Sequence, residues 1–148
     1  MTQWIETKLR YEKIDKRGKL RKVTESYLVD ALSFAEAEAR ITSEMKHYIS
    51  GDFTVSAVKK ANISEVFGEN AEDGKWYKVR VAFIIINERS GDNVRKLRDF
   101  MIKADDIFEA IAGFQYEITM LADYEIISVC ETPILDIFPV YKPKLINI

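Results

Sequence analysis

The chain has 148 residues, of which 47% are hydrophobic and 31% charged, and a formal net charge of −2. That length fits one ordinary domain or two half-sized units sharing a core; the composition excludes a disordered chain, and the near-neutral balance gives no global bias toward DNA or anionic membranes. A single cysteine, Cys130, excludes an intramolecular disulfide and a cysteine-based zinc site.

The N-terminal MTQWIETKLRYEKID is charged throughout and lacks the apolar stretch of a signal peptide, and the longest fully apolar run, VAFIII at residues 81–86, is too short to span a bilayer. The expected location is therefore the cytoplasm. Cys130 lies in an alternating apolar stretch and is expected to be a buried, inert thiol.

From Trp4 to Tyr11 the sequence alternates, with Ile5, Leu9 and Tyr11 on one face and Trp4, Glu6, Lys8 and Arg10 on the other, which predicts a half-buried strand. Asp15-Lys16-Arg17-Gly18 supplies turn chemistry, and Val23 to Ala31 alternates again, completing a hairpin. Ser33 and Glu36 form a capping box, so a helix starts there. Phe34, Ala37, Ile41, Met45 and Tyr48 recur at helical spacing and define the stripe expected to pack. Ser50-Gly51-Asp52 ends the helix. Phe53 to Val58 returns as a strand, and Ala61 to Phe67 is expected to continue it or pair beside it before a loop over residues 68–74.

The second half repeats this order. Trp76-Tyr77-Lys78-Val79-Arg80-Val81 matches Trp4-Ile5-Glu6-Thr7-Lys8-Leu9, and Ser90-Gly91-Asp92 matches the first turn. Asp106 with Glu109 matches the capping pair, and Ile107, Ala110, Ile111, Phe114 and Ile118 rebuild the helical stripe. Phe53, Val58, Ile63, Val66 and Phe67 then match Tyr124, Val129, Ile134, Ile137 and Phe138 in order. Self-similarity at near-constant spacing signals a repeat architecture. The expectation is an α+β domain of two tandem ββαβ units, residues 1–70 and 73–140, related by a pseudo-twofold axis. Both helices should cover one side of an antiparallel sheet, with residues 141–148 as an extended tail.

The opposite sheet face carries Trp4, Lys8 and Arg10, and again Trp76, Lys78 and Arg80. Aromatic platforms beside cations suit stacked bases and phosphates of single-stranded nucleic acid, although basic residues on strands also serve simply to discourage edge-to-edge aggregation. His47, the only histidine, has no second histidine or cysteine with which to hold a transition metal, and is read as a surface or structural residue. Glu36, Glu38 and Glu44, and Asp105, Asp106 and Glu109, cluster near helix starts, where carboxylates complement the helix dipole. Nothing in their spacing forces them into a paired-carboxylate hydrolase site, and no phosphate loop, nucleophile elbow or zinc-helix motif occurs. Ile84-Ile85-Ile86 and residues 134–140 are apolar on both strand faces; they are expected at the centre of the fold, or else exposed to a partner.

The segments WIETKLRYEK, KVTESYLVDALSFAEAEARI, ISGDFTVSAVKKANISEVF, KWYKVRVAFI and SVCETPILDIF resemble a family of uncharacterised proteins of gut bacteria and their phages, domain of unknown function four-four-nine-four. The resemblance covers nearly the whole chain and brings no catalytic residues with it. It implies a bacterial or phage accessory protein. The resulting expectation is a non-catalytic protein-binding or assembly module, with self-association as one form of it, needing no metal, cofactor or membrane. Single-stranded nucleic-acid binding is the alternative, and a hydrolase using acidic residues a more distant one.

Overall fold

The computed structural model describes residues 3–68, 71, 73–118 and 123–140; the expected tail over residues 141–148 lies outside these. The chain is mixed α+β, with strands β1 (Gln3–Ile14) and β2 (Leu20–Ala31), helix α1 (Phe34–Met45), strands β3 (Phe53–Lys60), β4 (Glu65–Phe67), β5 (Lys75–Ile86) and β6 (Asn93–Ala104), helix α2 (Ile107–Glu117), and strands β7 (Asp123–Glu131) and β8 (Ile134–Phe138). Two four-stranded sheets form, ordered β3-β1-β2-β8 and β4-β6-β5-β7. One compact unit holds β1, β2, α1, β3 and β8; the other holds β4 to β7 and α2.

The fourth strands depart from the expected pairing. Instead of staying beside β3, β4 runs parallel to β6 of unit 2, and β8 runs parallel to β2 of unit 1. Each sheet is thus completed by a strand from the other half of the sequence, and is mixed instead of wholly antiparallel. The expected single sheet with two helices is replaced by two sheets, each with its own helix.

Local chemistry explains both hairpins. Asp15 Oδ1 accepts the backbone N–H groups of Arg17 and Lys19 at 2.8 and 2.9 Å, and Gly18 takes the positive φ of 78° that closes the turn. In the second hairpin Asn87 Oδ1 accepts the Arg89 N–H at 3.0 Å, the same device in a turn one residue longer. Lys8/Leu9 and Arg80/Val81 mark register shifts against β3 and β7 at matching points of the two sheets. Both capping residues act as expected: Ser33 Oγ accepts from the Glu36 N–H at 3.1 Å and Asp106 Oδ1 from the Glu109 N–H at 2.8 Å.

Each helix covers its own sheet. In unit 1, Ala37, Ile41 and Met45 meet Ile5, Leu9, Tyr27, Val29 and Ala31. In unit 2, Ala110 and Phe114 meet Tyr77, Val79, Val81, Phe83, Phe100 and Ile102. The helical stripe is narrower than the spacing implied. Phe34 and Ile107 are exposed at the helix starts, and Tyr48 lies past the end of α1 with 76% of its surface free. Cys130, expected to be buried, is exposed, and of the two placements expected for the isoleucine run the exposed one holds for Ile85 and Ile86, which sit beside the turn of the β5–β6 hairpin, 39% and 66% exposed. Among the described residues, no helix is long and apolar enough to cross a membrane.

Candidate binding grooves on the two units

The ladders put the two sheets in a common frame, because Ile5 opposite Val29 in unit 1 corresponds to Tyr77 opposite Ile102 in unit 2. In that frame Tyr11, Glu25 and Tyr27 of unit 1 stand where Phe83, Arg98 and Phe100 stand in unit 2. Asp136 of β8, opposite Tyr27, stands where Glu65 of β4 lies opposite Phe100. A groove of about 320 Å³ opens at this place on each unit, on the side of the sheet that carries the helix.

In unit 1 the groove is acidic and phenolic. Tyr11 donates to Glu25 Oε1 at 2.5 Å and Tyr27 donates to the same oxygen at 3.3 Å, so two hydroxyls fix one carboxylate. Tyr48, Asp136 and Phe138 complete the wall, and Phe138 tilts against Tyr27 with centroids 6.0 Å apart. Arg40 of α1 donates to Asp30 O and, at 2.9 Å, to Pro139 O, which ties β8 into place from its far end. In unit 2 the matching groove has no hydroxyl on its two rings and carries Lys96 and Arg98 beside Glu65, Phe83 and Ile85. The positions agree while the charge differs.

Partial burial first, then the hydrogen bond to Glu25 and its negative charge, push the Tyr11 phenol up to about 12. Tyr27 is raised by burial and then by the charge of Glu25. Both folded phenols stay protonated where a free phenol, with an ordinary value near 10, would ionise. The stabilising contribution of Tyr11 is therefore complete below about pH 10 and is lost as pH climbs through about 12. In ultraviolet titration, Glu25→Gln is expected to lower the Tyr11 transition toward the ordinary value without reaching it, since burial is the larger cause and remains. An unmoved transition would show that Glu25 has no part in it.

The residues singled out from sequence fare differently in the two units. Trp76 is 2% exposed, its indole N–H finds no hydrogen-bond partner among the described residues, and Lys103 Nζ lies 5.9 Å from its ring centroid. Arg80 forks onto Asp99 at 2.9 and 3.2 Å, and Lys78 lies 3.9 Å from the same carboxylate. Asp99 thus occupies both cations of that trio. Trp4 and Lys8 are half-buried and Arg10 is exposed; at the place of Asp99 unit 1 has Ser26, so Lys8 and Arg10 meet no carboxylate among the described residues. His47 is exposed just beyond α1. Sequence reasoning missed the phenol–carboxylate cluster, because Tyr11 and Tyr27 fit the apolar alternation and read as core. The signal available was Glu25, a charged residue on the core-facing side of β2.

No curated protein and no solved structure matches this chain. Residues 3–140 match the model of one family, and the chain belongs to that family, described as Domain of unknown function (DUF4494).

Proposed function

We propose that this chain is a non-catalytic protein-binding module of the cytoplasm that captures an extended, acidic segment of a partner along the open edge of β6. The supporting observation is the pairing of β6. Its contact with β4 covers only Phe100 to Ile102, and Ser64 N–H reaches Asp99 O, so the edge over residues 93–98 carries no neighbouring strand among the described residues. Unpaired backbone at a sheet edge is a template for strand addition.

Side chains specify what such a strand should look like. Val94 and Leu97 of β6, with Ile85 and Ile86 of β5, are exposed around this edge, and Arg95, Lys96 and Arg98 lie among them, Arg95 donating to Glu125 at 3.1 Å. Pairing of two β6 edges would set Lys96 and Arg98 of one copy against those of the other, and like charges across a ladder are destabilising. An acidic strand relieves that repulsion, which favours a different protein over a second copy as the occupant. Of the carboxylates near the helix starts, Asp106 caps α2 and Glu36 accepts the Leu32 N–H at 3.2 Å, so these two serve the helix ends.

The test is amide hydrogen exchange with a capped peptide alternating glutamate and valine, and with its lysine counterpart. Slower exchange over residues 93–98 with the glutamate peptide alone is expected, weakening as salt rises. No slowing, or a dimer in light scattering that protects the same amides without peptide, would overturn the reading. Single-stranded nucleic acid is the other occupant to examine, because Arg10, Lys13 and Lys22 surround an open groove beside Tyr48 and Phe53. Salt-sensitive quenching of Trp4 fluorescence by an oligonucleotide, without change at β6, would favour it instead.

A further inference from the structure

The groove of unit 1 is unlike the β6 edge in every respect that matters for recognition. Its two carboxylates are each half engaged. Glu25 Oε1 accepts both phenols and Asp136 Oδ1 accepts the Ile137 N–H at 2.8 Å, while Glu25 Oε2 and Asp136 Oδ2 accept nothing among the described residues. Among the described residues, no lysine or arginine lines the groove. Unit 2 supplies an internal comparison: Phe83 and Phe100 fill the matching positions without hydroxyls, so packing alone does not call for the two phenols. What the hydroxyls add is a carboxylate held still between aromatic rings.

We propose that the groove formed by Tyr11, Glu25, Tyr27, Tyr48 and Asp136 is a binding site for an arginine side chain of a partner polypeptide. The chemistry is complementary in shape and sign. A guanidinium is a flat cation with donors along its edges; it lies on aromatic faces and directs its N–H groups to carboxylate oxygens. The exposed ring of Tyr48 offers a face, and the free oxygens of Glu25 and Asp136 offer acceptors. An ammonium presents a point charge with no plane to stack, so arginine is preferred over lysine. This site is separate from the β6 edge and takes a partner segment of the opposite charge.

A nuclear magnetic resonance titration of the full chain tests it, using capped Gly-Ser-Arg-Ser-Gly and its lysine and glutamate counterparts. The arginine peptide is expected to shift the amides of Glu25, Tyr27 and Asp136 saturably, the lysine peptide more weakly, and the glutamate peptide not at all. Glu25→Gln is expected to weaken arginine binding about tenfold, the loss of one charge-assisted hydrogen bond. The amide still accepts the phenolic hydrogen bonds, so the spectrum elsewhere should be preserved. Tyr48→Ala, at an exposed position, should weaken binding without altering the fold. Equal shifts from all three peptides, or undiminished binding by both variants, would overturn the proposal. So would shifts at these amides that grow with protein concentration alone and vanish in Arg98→Ala, because the occupant would then be a second copy.

Discussion

Alanine at position 114 is expected to remove about 3–5 kcal/mol from the stability of unit 2, the cost found when a buried phenylalanine is truncated and its site cannot collapse. Phe114 is fully buried. Its ring centroid lies 5.2 Å from that of Phe100, 6.1 Å from Phe67 and 6.1 Å from Tyr124, so three rings from three different strands meet on one helical side chain. These rings are themselves tied: Phe67 stacks on Phe100 at 5.9 Å, and Phe83 meets Phe100 and Tyr124 edge-on. Truncation at the hub leaves a void walled by rigid aromatics, which relax poorly. The check is denaturant unfolding followed through Trp76 in a Trp4→Phe background. Phe108→Ala on the same helix is the control; Phe108 is 78% exposed, and its loss should stay within about 0.5 kcal/mol. A cost below about 1 kcal/mol for Phe114→Ala would mean that the ring cluster is not what holds α2 to its sheet.

Sequence pattern revealed the elements of this fold far better than their partners. Alternation at Trp4 to Tyr11 and Trp76 to Val81, and the capping residues Ser33 and Asp106, report on backbone conformation within a few residues, and those elements stand where expected. Strand β4 was legible as a strand, but nothing in Glu65-Val66-Phe67 distinguishes the expected place beside β3 of its own half from pairing with β6 of the other. The faces the strand presents are the same in both cases. Exposure was misjudged for a related reason. Ile84-Ile85-Ile86 reads as interior because all three are apolar, yet Ile85 and Ile86 lie next to the β5–β6 turn, away from the helix-covered part of the sheet, and are 39% and 66% exposed. The phenol–carboxylate groove was illegible because it depends on β8 lying beside β2, a contact between residues more than a hundred positions apart.

That exchange of fourth strands makes a sharp prediction about where the chain can be cut. A fragment of residues 62–133 is expected to fold and melt cooperatively, whereas residues 73–140, the boundaries suggested by the repeat, are expected to stay largely unfolded. The first fragment keeps β4 with β5, β6, α2 and β7, which is the whole of unit 2. The other discards β4 and retains β8, whose partner β2 it does not contain. Loss of β4 removes Val66 and Phe67, both 8% exposed, together with the stacking of Phe67 on Phe100 and its contact with Phe114. Losing the Phe67 side chain alone is worth about 3–5 kcal/mol, against a total of about 5–15 kcal/mol for a typical domain; the β4–β6 ladder goes with it. Gly68 shows how closely β4 is fitted: it holds a φ of +81°, and a Cβ there would come within 3.2 Å of Lys103 O on β6. If the exchange is what stabilises unit 2, a peptide of residues 61–68 added to fragment 73–140 should restore its circular dichroism and near-ultraviolet aromatic signal in a saturable way, because a strand can be exchanged between chains when its contacts are the same in either. Equal melting of the two fragments without added peptide would place the stabilising contacts of unit 2 outside β4.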